Sequence, residues 1–225
     1  FKKLNKIEYI YKYWKICQQQ IVFDKNINPI FNIFKTHTAN LAINSNSFTD
    51  PNLTEAVIYI VRDPREMVLS YSKHMGKRVD DSIKSITDSR VLLSGNDNLL
   101  TTIMSSWDIH YQSWKKLDVP KIFLKYEDLI YDTKNHITQI SNFLAEILKI
   151  DKNILNKKIH NVFTSTSINE FRKHEKNMGF DEASKNSTFF GKAQVNSWKE
   201  KLTIEQIHKI EHIFNKTMKE LGYLK

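Results

Sequence analysis

The alternation of apolar and polar positions along the chain predicts helices and strands in turn. Ile7, Ile10, Tyr11 and Trp14 recur at helical spacing and predict a helix over 5–18, with Asn5 able to cap its first turn. The short apolar stretch Ile30-Phe31-Asn32-Ile33-Phe34 predicts a strand that delivers Lys35, Thr36 and His37 at its carboxyl end. Ala56-Val57-Ile58-Tyr59-Ile60-Val61 is β-branched and unbroken, the pattern of a parallel strand buried on both faces. It leads directly into Arg62-Asp63-Pro64-Arg65, where Asp63 can cap a helix and Pro64 suits its first position.

Further along, Leu100, Ile103, Trp107, Tyr111 and Trp114 mark one face of an amphipathic helix, followed by a strand at Ile122-Phe123-Leu124 and a turn at Tyr126-Glu127-Asp128. Asp132 caps a helix over about 132–149 that buries Ile137, Ile140, Phe143, Leu144 and Ile147. The last helix opens on the capping box Thr203/Gln206, carries the stripe Ile207, Ile210, Phe214, Met218 and Leu221, and stops at Gly222. Strands alternating with helices imply an α/β fold: three layers, with a mostly parallel sheet flanked by helices and ligands bound beyond the carboxyl ends of the strands. With 225 residues, few glycines or prolines and no linker, the chain reads as one domain over 1–225.

Composition narrows the class. Hydrophobic residues at 40% and charged residues at 26% are ordinary for a globular chain and exclude intrinsic disorder. No run of about 18 apolar residues predicts a membrane span, and the N-terminal stretch lacks the apolar core of a signal peptide. The single Cys17 closes no intrachain disulfide and builds no thiolate zinc site, so a cytoplasmic location is expected. The net charge of +9 favours an anionic partner, and a nucleic acid, a membrane surface or a phosphorylated ligand each satisfies it.

Polar clusters fall where the strands end: Lys35 with His37, Arg62 with Ser70, Tyr126 with Glu127 and Asp128, and a fourth group around Lys192 ahead of Trp198. Each alone has a structural explanation, such as Arg62 pairing with Asp63 or Asp128. Jointly they converge on one sheet edge, the arrangement an anionic nucleotide-like ligand needs. Arg62 offers a planar fork to a phosphate, Ser70 a further hydrogen bond, and the helix N-terminus after Pro64 a partial positive charge.

From about Phe31 to Thr203 these segments resemble the sulfotransferases that use 3′-phosphoadenosine 5′-phosphosulfate (PAPS). Phe34-Lys35-Thr36-His37 is similar to the family's Lys-Thr-His segment, and the resemblance implies that His37 is the catalytic base and that Lys35 polarises the sulfuryl group. The stretch from Ile58 through Arg62 to Ser70 and Tyr71 resembles the 3′-phosphate motif, in which Arg and Ser stand eight positions apart as here. Leu124 to Leu129 looks like the Tyr-Glu-Asp turn that sets Tyr126 near the adenine. Thr166-Ser167-Ile168 resembles a segment touching the adenosine, with Ile168 in place of an aromatic ring.

Two departures follow. The C-terminal phosphate loop keeps Lys192, Trp198 and Lys199 but has Gly191 where the family has Arg; the lost contact removes a charge-assisted hydrogen bond of about 1.5–3 kcal/mol. Nothing before Lys35 matches the family's phosphosulfate-binding loop, so the domain is expected to be N-terminally incomplete as given. The resemblance implies a fold like that of P-loop nucleotide kinases and sulfuryl transfer from PAPS to a hydroxyl or amine of a small-molecule acceptor, with no metal and with neither nucleic acid nor membrane as partner. It places the acceptor pocket in loops at 38–55, 73–98 and 169–190; His110, beside Tyr111 on the Trp107–Trp114 helix, is expected to approach that pocket. A nucleotide kinase-like phosphotransferase, a basic nucleic-acid-binding domain and a non-catalytic relative are the competing readings.

Overall fold

The computed structural model describes residues 6–23, 32–94, 100–180, 183, 188–191 and 193–225. In order these form α1 (Ile7–Phe23), β1 (Ala42–Ile43), β2 (Asn46–Ser47), β3 (Val57–Val61), α2 (Pro64–Met75) and α3 (Val79–Thr87). There follow β4 (Leu92–Leu93), β5 (Thr102–Ile103), α4 (Trp107–Lys115), β6 (Lys121–Lys125), α5 (Tyr126–Tyr131) and α6 (Thr133–Leu148). Then come α7 (Lys152–Ser165), α8 (Ile168–Met178), α9 (Trp198–Lys201), α10 (Ile204–Ile213) and α11 (Asn215–Glu220).

Strands β3 and β6 pair in one sheet, and the Val57 amide bonds the Pro120 carbonyl, which matches the strands start to start and makes them parallel. Helices flank this sheet and about 57% of the described residues are helical, so the α/β class expected from the sequence is the one adopted. The remaining strands form two short antiparallel ladders, β1 with β2 and β4 with β5. Among the described residues, no helix is long and apolar enough to cross a membrane.

The chain divides into two compact units, Phe1–Val57 with Ile86–Lys121, and Ile58–Ser85 with Ile122–Lys225. In the first, Tyr11, Ala39 and Ile103 are buried together, with Ile7, Leu41, Ile43 and Phe48 packed around them. The Phe48 ring lies 5.8 Å from Tyr11, 5.7 Å from Trp14 and 6.1 Å from Trp114, so α1, α4 and the β1–β2 hairpin share one aromatic nest.

In the second unit local signals bound several helices. Asp63 caps α2 by accepting from the Arg65 amide, Pro64 takes the first position, and Gly76 ends the helix in the left-handed conformation at φ 61°. Asp132 caps α6, and Thr203 and Gln206 form the expected reciprocal box at α10. Ile210, Phe214 and Met218 are fully buried on the C-terminal helices. Each such side chain contributes about 1.5–3 kcal/mol through burial.

Five expectations are corrected. No strand forms at 32–34, where Ile33 is 76% and Phe34 52% exposed; Ile30 and Phe31, like Asn5, lie outside the described residues. Strand β3 is not buried on both faces: Val57 and Val61 point inward while Ile58 and Ile60 stay exposed, the period-2 alternation of a strand packed on one side. The helix expected from Leu100 starts only at Trp107, because Ser105 turns left-handed at φ 58° and Ile103 pairs with Leu92 in β5. Tyr126, Glu127 and Asp128 open α5 instead of forming a turn, and the segments expected as loops contain the end of α2, α3 and α8.

Candidate functional site

The site in the second unit is built at the corner where β3 gives way to α2. Asp63, 5% exposed, caps the helix and also receives the Arg65 guanidinium, with Nε at 3.0 Å and Nη2 at 2.6 Å. Arg65, 6% exposed, further bonds the Glu211 carboxylate and the Tyr223 carbonyl and lies 3.8 Å over the Trp198 ring. Burial opposes its charge, but hydrogen bonds and charge from Asp63 and Glu211 outweigh it and hold its pKa above the usual arginine value. Glu127 accepts from the Asp63 amide at 2.9 Å and from the Tyr223 hydroxyl at 2.9 Å. Burial first, and the Glu127 carboxylate second, push the Tyr223 phenol far above its ordinary value, in keeping with its donation to Glu127.

Arg62 stands beside this bolt. Its guanidinium stacks 4.4 Å over the Tyr126 ring, donates to the Gln194 carbonyl at 3.1 Å and pairs with Glu66 at 3.6 Å. Glu66 is 4% exposed and accepts from the Ser197 hydroxyl at 2.6 Å and the Trp198 amide at 3.1 Å. One carboxylate therefore pins the 194–198 segment to the start of α2. A cavity of about 430 Å³ opens here, lined by Asp63, Arg65, Glu127, Asn196, Lys199 and Tyr223 among others. Glu66→Ala removes two hydrogen bonds to a charged group, each of about 1.5–3 kcal/mol. Tryptic cleavage at Lys199 and Lys201 is then expected to accelerate by at least about tenfold, since proteolysis follows the population of the opened segment; unchanged cleavage would show that Glu66 holds nothing.

The sequence-predicted residues distribute as follows. Arg62 and Tyr126 are brought together at this corner. Ser70 is the seventh residue of α2, exposed, one i,i+4 step beyond Glu66 and on the same helix face. Thr166 ends α7 with its hydroxyl on the Val162 carbonyl at 2.7 Å, and Ile168 begins α8, 36% exposed. Lys192 lies outside the described residues. Just ahead of it, Glu175 accepts from the Phe189 and Phe190 amides while Arg172 donates to the Phe190 and Gly191 carbonyls.

Lys35 and His37 belong to the first unit and are both exposed, on an extended segment without a ladder. The His110 ring meets the His37 carbonyl at 3.2 Å. Burial pushes the His110 pKa down, opposed by that hydrogen bond and reinforced by charge on His37.

Sequence reasoning missed Arg65, Glu66, Ser197 and Tyr223 as parts of the corner. The i,i+4 spacing of Arg62 and Glu66 was a visible signal for one ion pair. Nothing local announces Tyr223, which reaches the corner from 96 positions beyond Glu127.

A parallel strand turning through a capped corner into a helix, with an arginine at the turn, defines the class as α/β. The sulfotransferase domain family matches residues 2–222, and the chain belongs to that family. It is 24% identical to the amine sulfotransferase of Oryctolagus cuniculus over 173 residues, covering 73% of this chain and 54% of the relative. It is 27% identical to the 3-beta-hydroxysteroid sulfotransferase of Cavia porcellus over 166 residues, covering 72% and 55%. The chain thus spans little more than half the length of these relatives. The crystal structure of mouse sulfotransferase SULT7A1 complexed with PAP superposes with a TM-score of 0.52 at 22% identity, over 75% of this chain and 60% of that one, and shares the fold.

Proposed function

We propose that the chain carries out sulfuryl transfer from PAPS to a hydroxyl or amine of a small-molecule acceptor. The observation that supports this reading most directly is the Arg62 guanidinium, stacked on Tyr126 at the N-terminus of α2, where fork, ring and helix dipole suit a ribose phosphate beside an adenine. In this reading Arg62, Ser70 and Lys192 hold the 3′-phosphate, and Tyr126, Thr166 and Ile168 border the adenosine. His37 takes the acceptor proton as the acceptor atom bonds to sulfur, and Lys35 stabilises the charge that develops as the bond from sulfur to the 5′-phosphate oxygen breaks. The products are the sulfated acceptor and 3′,5′-adenosine bisphosphate. The single, exposed Cys17 suits a reducing cytoplasm.

Thermal unfolding with 3′,5′-adenosine bisphosphate against AMP tests the reading. A ligand gripped through its 3′-phosphate stabilises by about 2.7 kcal/mol at a hundredfold excess over Kd, so the bisphosphate is expected to raise Tm by several degrees and AMP far less. Arg62→Ala is expected to erase that difference. Equal shifts from the two nucleotides would remove the reading's basis.

A further inference from the structure

The segment that carries His37 has no strand to complete it, so its backbone groups must find partners elsewhere. They find most of them on side chains. The Trp114 indole donates to the Thr38 carbonyl at 3.0 Å, the Tyr11 hydroxyl to the Ala39 carbonyl at 3.3 Å, and the Asn40 amide to the Ser113 hydroxyl at 2.9 Å. The Ala39 amide completes the set on the Ile103 carbonyl at 2.8 Å. His110, Ser113 and Trp114 stand at i, i+3 and i+4 on α4, so one helix face grips residues 37, 38 and 40 in succession. At the other end of the motif, the Phe34 ring packs edge-on against Trp14 at 5.6 Å.

We propose that His110 is a positioning residue for His37: its ring Nε2–H holds the His37 carbonyl and so lets α4 set where the imidazole of His37 stands. This inference rests on the reading of His37 as the general base. A carbonyl oxygen only accepts, so Nε2 carries the hydrogen and Nδ1 of the neutral ring is left as an acceptor. Burial favours that neutral form, and a proton on His37 favours it further. The two residues therefore divide the work: the His110 ring anchors the His37 carbonyl, while the exposed His37 side chain exchanges protons with an acceptor.

The experiment compares His110→Gln, whose amide nitrogen takes the place of Nε2, with His110→Phe, which keeps the ring and loses the donor. Turnover is followed as release of 3′,5′-adenosine bisphosphate from PAPS with phenol, steroid and amine acceptors. A displaced reacting group costs up to about 10²-fold, so kcat is expected to fall roughly 10- to 100-fold in the Phe variant with KM for PAPS within about twofold, and the Gln variant is expected to restore it. The carbon-13 shift of the His37 carbonyl gives a readout independent of activity: it is expected to move to the value of an unbonded carbonyl in the Phe variant and to stay at the wild-type value in the Gln variant. His110→Asn, too short to reach, replaces Phe if that variant does not fold. An unmoved carbonyl shift in both Phe and Asn variants would overturn the proposal, as would a Gln variant that keeps the shift but turns over no faster than Phe. Absence of turnover in the wild-type chain, with the shifts behaving as expected, would instead overturn the sulfuryl-transfer reading and leave the grip of His110 on the His37 carbonyl standing.

Discussion

Replacing Arg65 by Met is expected to lower stability by about 3–5 kcal/mol, because it strands a buried carboxylate. Asp63 is 5% exposed and draws its compensation from the Arg65 guanidinium through Nε and Nη2; the capping bond from the Arg65 amide would remain and is too little. Glu211 suffers less, since a quarter of its side chain is open to water. The Trp198 ring loses the cation above it and the Tyr223 carbonyl one donor, so the corner loosens on three sides. For a chain of this length the melting temperature should drop by roughly 6–20 °C. Adding Asp63→Asn to the Met variant should recover part of the loss, because the stranded charge is then gone. A fall below 1 kcal/mol in denaturant titrations would mean that Asp63 is not closed off from water.

His37→Ala is expected to cut turnover by about 10²- to 10⁴-fold, the range a positioned general base contributes. Its side chain is exposed and its carbonyl, the group held by His110, survives the change, so the surrounding segment should keep its fold. The selective stabilisation by 3′,5′-adenosine bisphosphate should persist unaltered, since the proposed phosphate ligands lie on other segments. Normal turnover in this variant would refute the assigned base, whereas loss of nucleotide selectivity would show that His37 serves binding.

Much of the corner was legible along the chain. Asp63 followed by Pro64 announces a cap and a first helical position, and the structure forms both. The same holds for Asp132 before α6 and for the Thr203/Gln206 box. These are signals between residues two to four positions apart, where backbone geometry alone decides which groups meet. The stripe through Ile210, Phe214 and Met218 was equally plain, since its period names the buried face whatever covers it. Ile33 and Phe34 misled for the opposite reason: apolar alternation marks a strand only if another strand supplies the ladder, and here side chains satisfy the backbone just beyond them.

Short-range pattern in the chain was enough for the capped starts of α2, α6 and α10, the strand-to-helix corner, the α/β class and the family. Only the tertiary structure decided which arginine serves which partner. Arg62 and Arg65 carry the same charge three positions apart. Asp63 takes Arg65 because the Tyr223 carbonyl, 158 positions away, and Glu211, 146 away, complete a buried cage around that guanidinium and leave Arg62 stacked at the corner's surface. The placement of His37 was decided in the same way by α4, 73 positions on, since a hydrogen bond between distant segments depends on packing that no local spacing records.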